Sequence, residues 1–187
     1  MFRRRAPWIG VLLTAAATAV ALVVTVGAQA GRDKGGETLV LRSAGPVSLQ
    51  QVSADCFGFV GDLQSPDGRR IGRVTSCIDN FGDGAVGGFF SKGRFFLELH
   101  GGVLTADLES RLSTGMDPFA TGPLALPDGV AANGDQLFGI VTEGSVTGGT
   151  NRFAHATGTV IGAGFGVDDS ELNLKWVDNV FVIQLGH

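Results

Sequence analysis

Side chains that bind metals and phosphates are scarce in this chain. It has only three histidines and two cysteines among 187 residues, and the cysteines do not form the C-x₂-C pair that is typical of structural zinc sites. No set of Ser, His and Asp forms a recognisable nucleophile motif. The many glycines precede no helix, so they do not predict a phosphate-binding loop. We therefore predict neither a metal ion nor another cofactor.

Basic side chains are also few. The chain has 14 Lys and Arg against 18 Asp and Glu. The first 30 residues hold three arginines and no acid, so the remainder carries 11 − 18 = −7. Such a chain cannot neutralise many phosphates, which excludes nucleic acid as a partner. It is also not expected to dock on anionic lipid.

The N-terminal segment has the pattern of an export signal. Residues 3–5 are three arginines, residues 8–26 are apolar and uncharged, and Ala28-Gln29-Ala30 fits a cleavage site. We predict that residues 1–30 are a cleaved signal peptide and that the protein is secreted. The alternative is a retained membrane anchor, because the apolar run approaches the length of a span. Only then would a membrane be a partner.

Two cysteines, Cys56 and Cys77, remain in the exported part. An even number of cysteines in an oxidising compartment predicts a disulfide. Closing a loop of this length contributes roughly 3 kcal/mol in the chain-entropy account. Two buried free thiols are the alternative.

The rest of the chain has the pattern of an all-β domain. Residues 31–37 are polar and rich in glycine, which predicts a flexible arm before a single domain at residues 38–187. Apolar segments alternate with glycine-rich turns, and none shows a helical period. Seven or eight antiparallel strands favour a closed barrel over a sandwich, because closure removes exposed strand edges.

Individual strands and loops follow from alternation and turn residues. In the segment 103–112, Leu104, Ala106 and Leu108 share one face, and the charged side chains lie on the other. Further along the chain, a strand is predicted to end in a turn at Gly148-Gly149-Thr150, and the next strand is predicted to begin at Arg152. The predicted loops are residues 43–46, 79–88, 113–134 and 162–170.

Three stretches have a recognisable pattern. Residues 61–77 form a hairpin that ends in a cysteine, residues 95–105 are FFLELHGGVLT, and residues 145–160 are SVTGGTNRFAHATGTV. Together they resemble the allene oxide cyclase/dirigent barrel superfamily, whose motif is I-x-G-G-T-G-x-[FY]-x-x-A-x-G-x-V. Asn151 stands where that motif has glycine, a substitution that a positive φ tolerates.

The resemblance implies an eight-stranded antiparallel β-barrel, often oligomeric, with an apolar cavity. We therefore expect a secreted barrel that binds a small hydrophobic molecule, with steering of its cyclisation or coupling as a further role. One alternative is a non-catalytic structural or interaction barrel that is filled by its own side chains. The other is a true cyclase or isomerase that uses a cavity carboxylate and no cofactor.

The candidate site residues come from the predicted strands. Three glutamates are candidate catalytic groups, and a solvent-facing role is the alternative for each: Glu98, Glu109 and Glu143. Apolar side chains expected to line the cavity are Phe57, Phe59, Phe95, Leu97, Leu99 and Phe153. The acid that the plant cyclases carry on their first strand has no counterpart at residues 38–42.

Overall fold

The computed structural model of this chain describes residues 36–83, 89–116, 134–171 and 173–186. The signal peptide predicted at residues 1–30 therefore lies outside the described residues. Nine β-strands account for most of the described chain. In order they are β1 (Thr38–Pro46), β2 (Gln50–Ser53), β3 (Cys56–Gln64), β4 (Arg70–Asp83), β5 (Phe89–Leu99), β6 (Gly102–Met116), β7 (Gln136–Gly149), β8 (Thr157–Asp168) and β9 (Leu174–Gly186).

Eight of these strands close into a barrel. The strand order is β1-β9-β8-β7-β6-β5-β4-β3-β2, with every neighbouring pair antiparallel. β1 also pairs with β3 through Arg42–Gln64 and Ser43–Leu63, which completes the ring. β2 pairs with β3 alone and lies outside the barrel. The predicted eight-stranded antiparallel barrel is confirmed.

Alternation along the strands sets what faces inward. In β6, Leu104, Ala106 and Leu108 are buried, whereas Asp107 is exposed. The predicted division of that strand into two faces is confirmed. The described residues contain no helix long and apolar enough to cross a membrane.

One half of the barrel interior is closely packed. It contains Phe153, which is 1% exposed and follows β7 in a single turn of 3₁₀ helix, Asn151–Phe153. This half is called the packed half below. Its other buried members are Leu41, Leu63, Val74, Leu97, Leu104, Ala106, Leu108, Val146, Val160, Phe181, Ile183 and Leu185.

The connection between β7 and β8 differs from the prediction. A return strand starting at Arg152 is wrong, because residues 151–153 form the 3₁₀ turn and β8 begins at Thr157. Asn151 has φ +51°, the left-handed conformation expected at this position. The turn directs the Phe153 side chain into the barrel, where burial of the ring stabilises the packed half.

All four predicted loops contain strand. β1 continues through the expected break to Pro46, β4 runs to Asp83, and β8 runs to Asp168 across nearly all of the loop expected at 162–170. β6 extends to Met116, so part of the long loop expected at 113–134 is also strand. Residues 117–133 of that loop lie outside the described residues.

The glycines that suggested a loop in β8 have a packing role. Gly162 and Gly166 lie under the rings of Phe181 and Phe138, and a Cβ at either position would meet the ring above it. Removing the Cβ lets large side chains from neighbouring strands lie flat against β8. The glycines therefore mark close approach inside the barrel and not a chain break.

Candidate ligand-binding cavity

The half of the barrel opposite the packed half contains an open cavity of about 500 Å³. It is bounded by the start of β3, β5, β7 and β9 and by the end of β4, β6 and β8. This volume lies within the range of roughly 300–1,000 Å³ that small-molecule sites occupy. The cavity is therefore large enough to hold a small organic molecule.

The cavity wall is mainly aromatic and aliphatic. Phe138 and Ile140 come from β7, and Ile78 and Leu112 come from β4 and β6. Near the mouth, Phe81 is 55% exposed and its ring stacks on that of Phe89, with centroids 5.3 Å apart. Such a wall favours contact with an apolar molecule.

The apolar residues predicted for the site are divided between the two halves. Phe57, Phe59 and Phe95 line the cavity, and Phe57 remains 48% exposed at its mouth. The other three, Leu97, Leu99 and Phe153, pack in the opposite half. The sequence pattern identifies inward-facing positions. It does not show where along the barrel axis the packed half ends and the cavity begins.

The three candidate glutamates do not line the cavity. Glu98 and Glu143 are exposed. Glu109 forms an ion pair with Lys92 at 2.9 Å, and Arg111 lies 4.0 Å away. The hydrogen bond and charge of Lys92 lower the pKa of Glu109. These placements match the solvent-facing alternative given for each glutamate.

The floor of the cavity is polar. Five polar side chains are buried inside the described barrel, and we call them the polar belt: Ser43, Ser76, Ser110, Thr142 and Asn179. All of them except Ser43 line the cavity. Ser110 and Thr142 are paired across β6 and β7, and their hydroxyl oxygens are 2.9 Å apart in a hydrogen bond.

Sequence reasoning did not find the polar belt. Each member lies at an inward-facing position, as Ser110 does two residues after the buried Leu108, and as Asn179 does two residues before the buried Phe181. The available signal was a polar residue in register with an apolar face. A small side chain such as serine at an inward-facing position leaves open the volume that a larger apolar side chain would fill.

Asn179 is the member of the polar belt that has a buried side-chain atom without a hydrogen-bond partner in the described part of the chain. Its side chain is 6% exposed, and its Oδ1 is buried without a hydrogen-bond partner among the described residues. The amide lies against Gly164 of β8, where a Cβ would overlap Oδ1. A buried amide without a partner costs free energy, so an amide in this position calls for an explanation.

Two acids line the cavity near its mouth. Asp79 is paired with Arg94 at 3.2 Å. Asp168 is half-buried, and burial together with the neighbouring charge of Asp169 raises its pKa to about 6. Among the described cavity-lining side chains there is no Lys, Arg or His. The electrostatic character of the cavity is therefore neutral to acidic.

The predicted disulfide between Cys56 and Cys77 is confirmed. It joins the start of β3 to β4, with the two Cα atoms 4.9 Å apart, close to the cavity-lining residues Phe57 and Ile78. The disulfide holds β3 and β4 together at this side of the cavity mouth. A disulfide is consistent with an extracellular location.

The chain matches no protein-family model, no curated protein and no solved structure. Within the described ranges, no group of three or more His, Cys, Asp or Glu side chains could hold a metal ion.

Proposed function

We propose that this protein is an exported barrel, similar to the allene oxide cyclase/dirigent superfamily, that binds a small apolar molecule in its cavity. The observation that carries the proposal is the cavity of about 500 Å³ with an aromatic and aliphatic wall. A barrel filled by its own side chains would not leave this volume open. The wall residues lie on paired strands, so the site is preformed and binding requires little ordering of the protein.

The test compares two tryptophan substitutions on β7. Ile140→Trp enlarges a buried wall residue, whereas Val141→Trp changes the adjacent side chain, which is 52% exposed and points away from the cavity. We expect Nile red, a neutral apolar dye, to fluoresce on binding the wild-type protein. Ile140→Trp should weaken its binding about tenfold or more, because the indole occupies ligand space.

Val141→Trp is the matched control and should bind the dye as the wild type does. Circular dichroism and thermal unfolding of both variants would confirm that the barrel is intact. Equal dye binding by the three proteins would place the dye outside the cavity and contradict the proposal.

A second candidate function, ring closure of the bound molecule, is favoured by the position of Asp168. This carboxyl lines the cavity and has a pKa raised to about 6, so both protonation states are accessible near neutral pH. It could protonate an epoxide oxygen while a hydroxyl of the same molecule attacks the ring carbon. The C–O bond then breaks, and the hydroxyl proton returns to the carboxylate.

An apolar epoxy alcohol is the probe substrate for this second function. Wild-type protein should give the cyclic ether with an excess of one stereoisomer, and Asp168→Asn should lose that excess while still binding Nile red. A racemic product at the buffer rate with the wild type would exclude ring closure without affecting the binding proposal.

A further inference from the structure

The polar belt gives the cavity two chemically different ends. Its floor carries the Ser110–Thr142 hydroxyl pair and the Asn179 amide, whereas most of its wall is apolar. A wholly apolar ligand would leave the Asn179 amide without a hydrogen bond. Because burying an unpaired polar group is unfavourable, such a ligand would bind more weakly than one that satisfies the amide.

The charge of the cavity limits what the ligand can present to the floor. The charged lining residues in the described part of the chain are Asp79 and Asp168, both acidic. A carboxylate head group at the floor would be desolvated and would find no cation among the described lining residues to pair with. An ammonium head group at the floor would face only uncharged partners, since its carboxylate partner would be near the mouth.

A hydroxyl is the group that suits the Asn179 amide. It donates one hydrogen bond and accepts others, so it pairs with either the amide oxygen or the amide nitrogen. A half-turn of the terminal torsion exchanges these two atoms at low cost, because that torsion is broad and roughly two-fold. Gly164 leaves the space in which the amide lies.

We propose that the ligand is a neutral apolar alcohol, which enters with its hydroxyl directed at Asn179 and its apolar body along the phenylalanine-rich wall. This inference rests on the proposed ligand-binding function and deepens it. Asn179 is then a residue that determines specificity for the head group, and the acidic rim selects against fatty acids.

The first experiment uses the wild-type protein with Nile red bound. Decanol, decanoate and decylamine share one chain and differ only in the head group. Decanol should displace the dye at a concentration about tenfold or more below that needed with decanoate, because the anion finds no cationic partner. Equal or better displacement by decanoate or decylamine would overturn the inference.

Two amide-to-leucine variants of β9 then test whether Asn179 binds the hydroxyl. Asn179→Leu should raise the half-displacement concentration of decanol about threefold to tenfold, the range expected for one lost hydrogen bond. Gln184→Leu is the matched control, because Gln184 is an exposed amide on the same strand and does not line the cavity. It should leave decanol binding unchanged.

The outcomes separate this inference from the proposed function. If Nile red does not bind the wild type, the binding function itself fails. If the dye binds but Asn179→Leu and Gln184→Leu respond alike to decanol, the binding function stands and the role of Asn179 is refuted. The comparison of head groups on the wild type remains decisive even where Asn179→Leu does not fold.

Discussion

Asp168 and Asp169 are consecutive carboxyls with opposite surroundings. Burial, followed by the charge of Asp169, raises the pKa of Asp168 to about 6 from an ordinary value of 3.8. Hydrogen bonds donated by the backbone and side chain of Asn173 lower the pKa of Asp169. The two groups therefore affect stability with opposite dependence on pH.

For Asp168, the folded protein binds the proton more tightly than the unfolded chain does. Its contribution to stability is fully present below pH 3.8 and is lost as the pH rises through about 6. We expect Asp168→Asn to be more stable than the wild type at pH 7, with the advantage shrinking toward pH 4. Urea unfolding of both proteins at steps of pH measures this difference.

Asp169→Asn is the control at the adjacent position. Its carboxylate accepts hydrogen bonds in the folded state, so this substitution should lower stability at pH 7. A stability difference between Asp168→Asn and the wild type that does not change between pH 4 and pH 7 would show that the Asp168 pKa is not raised.

The residues of the cavity floor mark where sequence reasoning reached its limit. Phe57, Phe59 and Phe95 are among the side chains expected to line the cavity, and they do line it. Alternation within one strand places Ser110 and Asn179 on an apolar face, but it does not show which polar side chains meet across the barrel. That depends on the register between strands, which a single strand does not reveal.

At the scale of elements, glycine explains why strands were mistaken for loops. Glycine weakens strand propensity, so the segments that carry Gly162 and Gly82 favoured a loop interpretation. Both positions instead face large rings, Phe181 and Phe90, and lie within paired strands. Cross-strand pairing overrode local propensity, because the missing Cβ leaves room for the ring that lies against each glycine.

The hairpins were easier to predict where the turn has a specific residue pattern. Ser65-Pro66-Asp67-Gly68 separates β3 from β4 within the hairpin predicted at residues 61–77, and Gly68 has φ +83°. The disulfide joins the start of β3 to the middle of β4. It closes a loop of 21 positions, which stabilises the fold by roughly 3 kcal/mol in the chain-entropy account.

Considered as a whole, the molecule divides its barrel into a filled half and an open half. The filled half is closed by Phe153, and burial of its aliphatic and aromatic side chains provides most of the interior packing. The open half replaces that packing with the polar belt and a cavity. Small domains lose stability when interior volume is left empty, which favours a ligand as the reason for the cavity.

The orientation of the bound alcohol is measured by a crystal structure of the protein with decanol that carries bromine on its terminal carbon. We expect an anomalous bromine peak at the mouth, near Phe81 and Leu112, and the hydroxyl within hydrogen-bonding distance of the Asn179 amide. An empty cavity at saturating alcohol, or bromine at the floor with the hydroxyl toward solvent, would refute the binding of an apolar alcohol through Asn179.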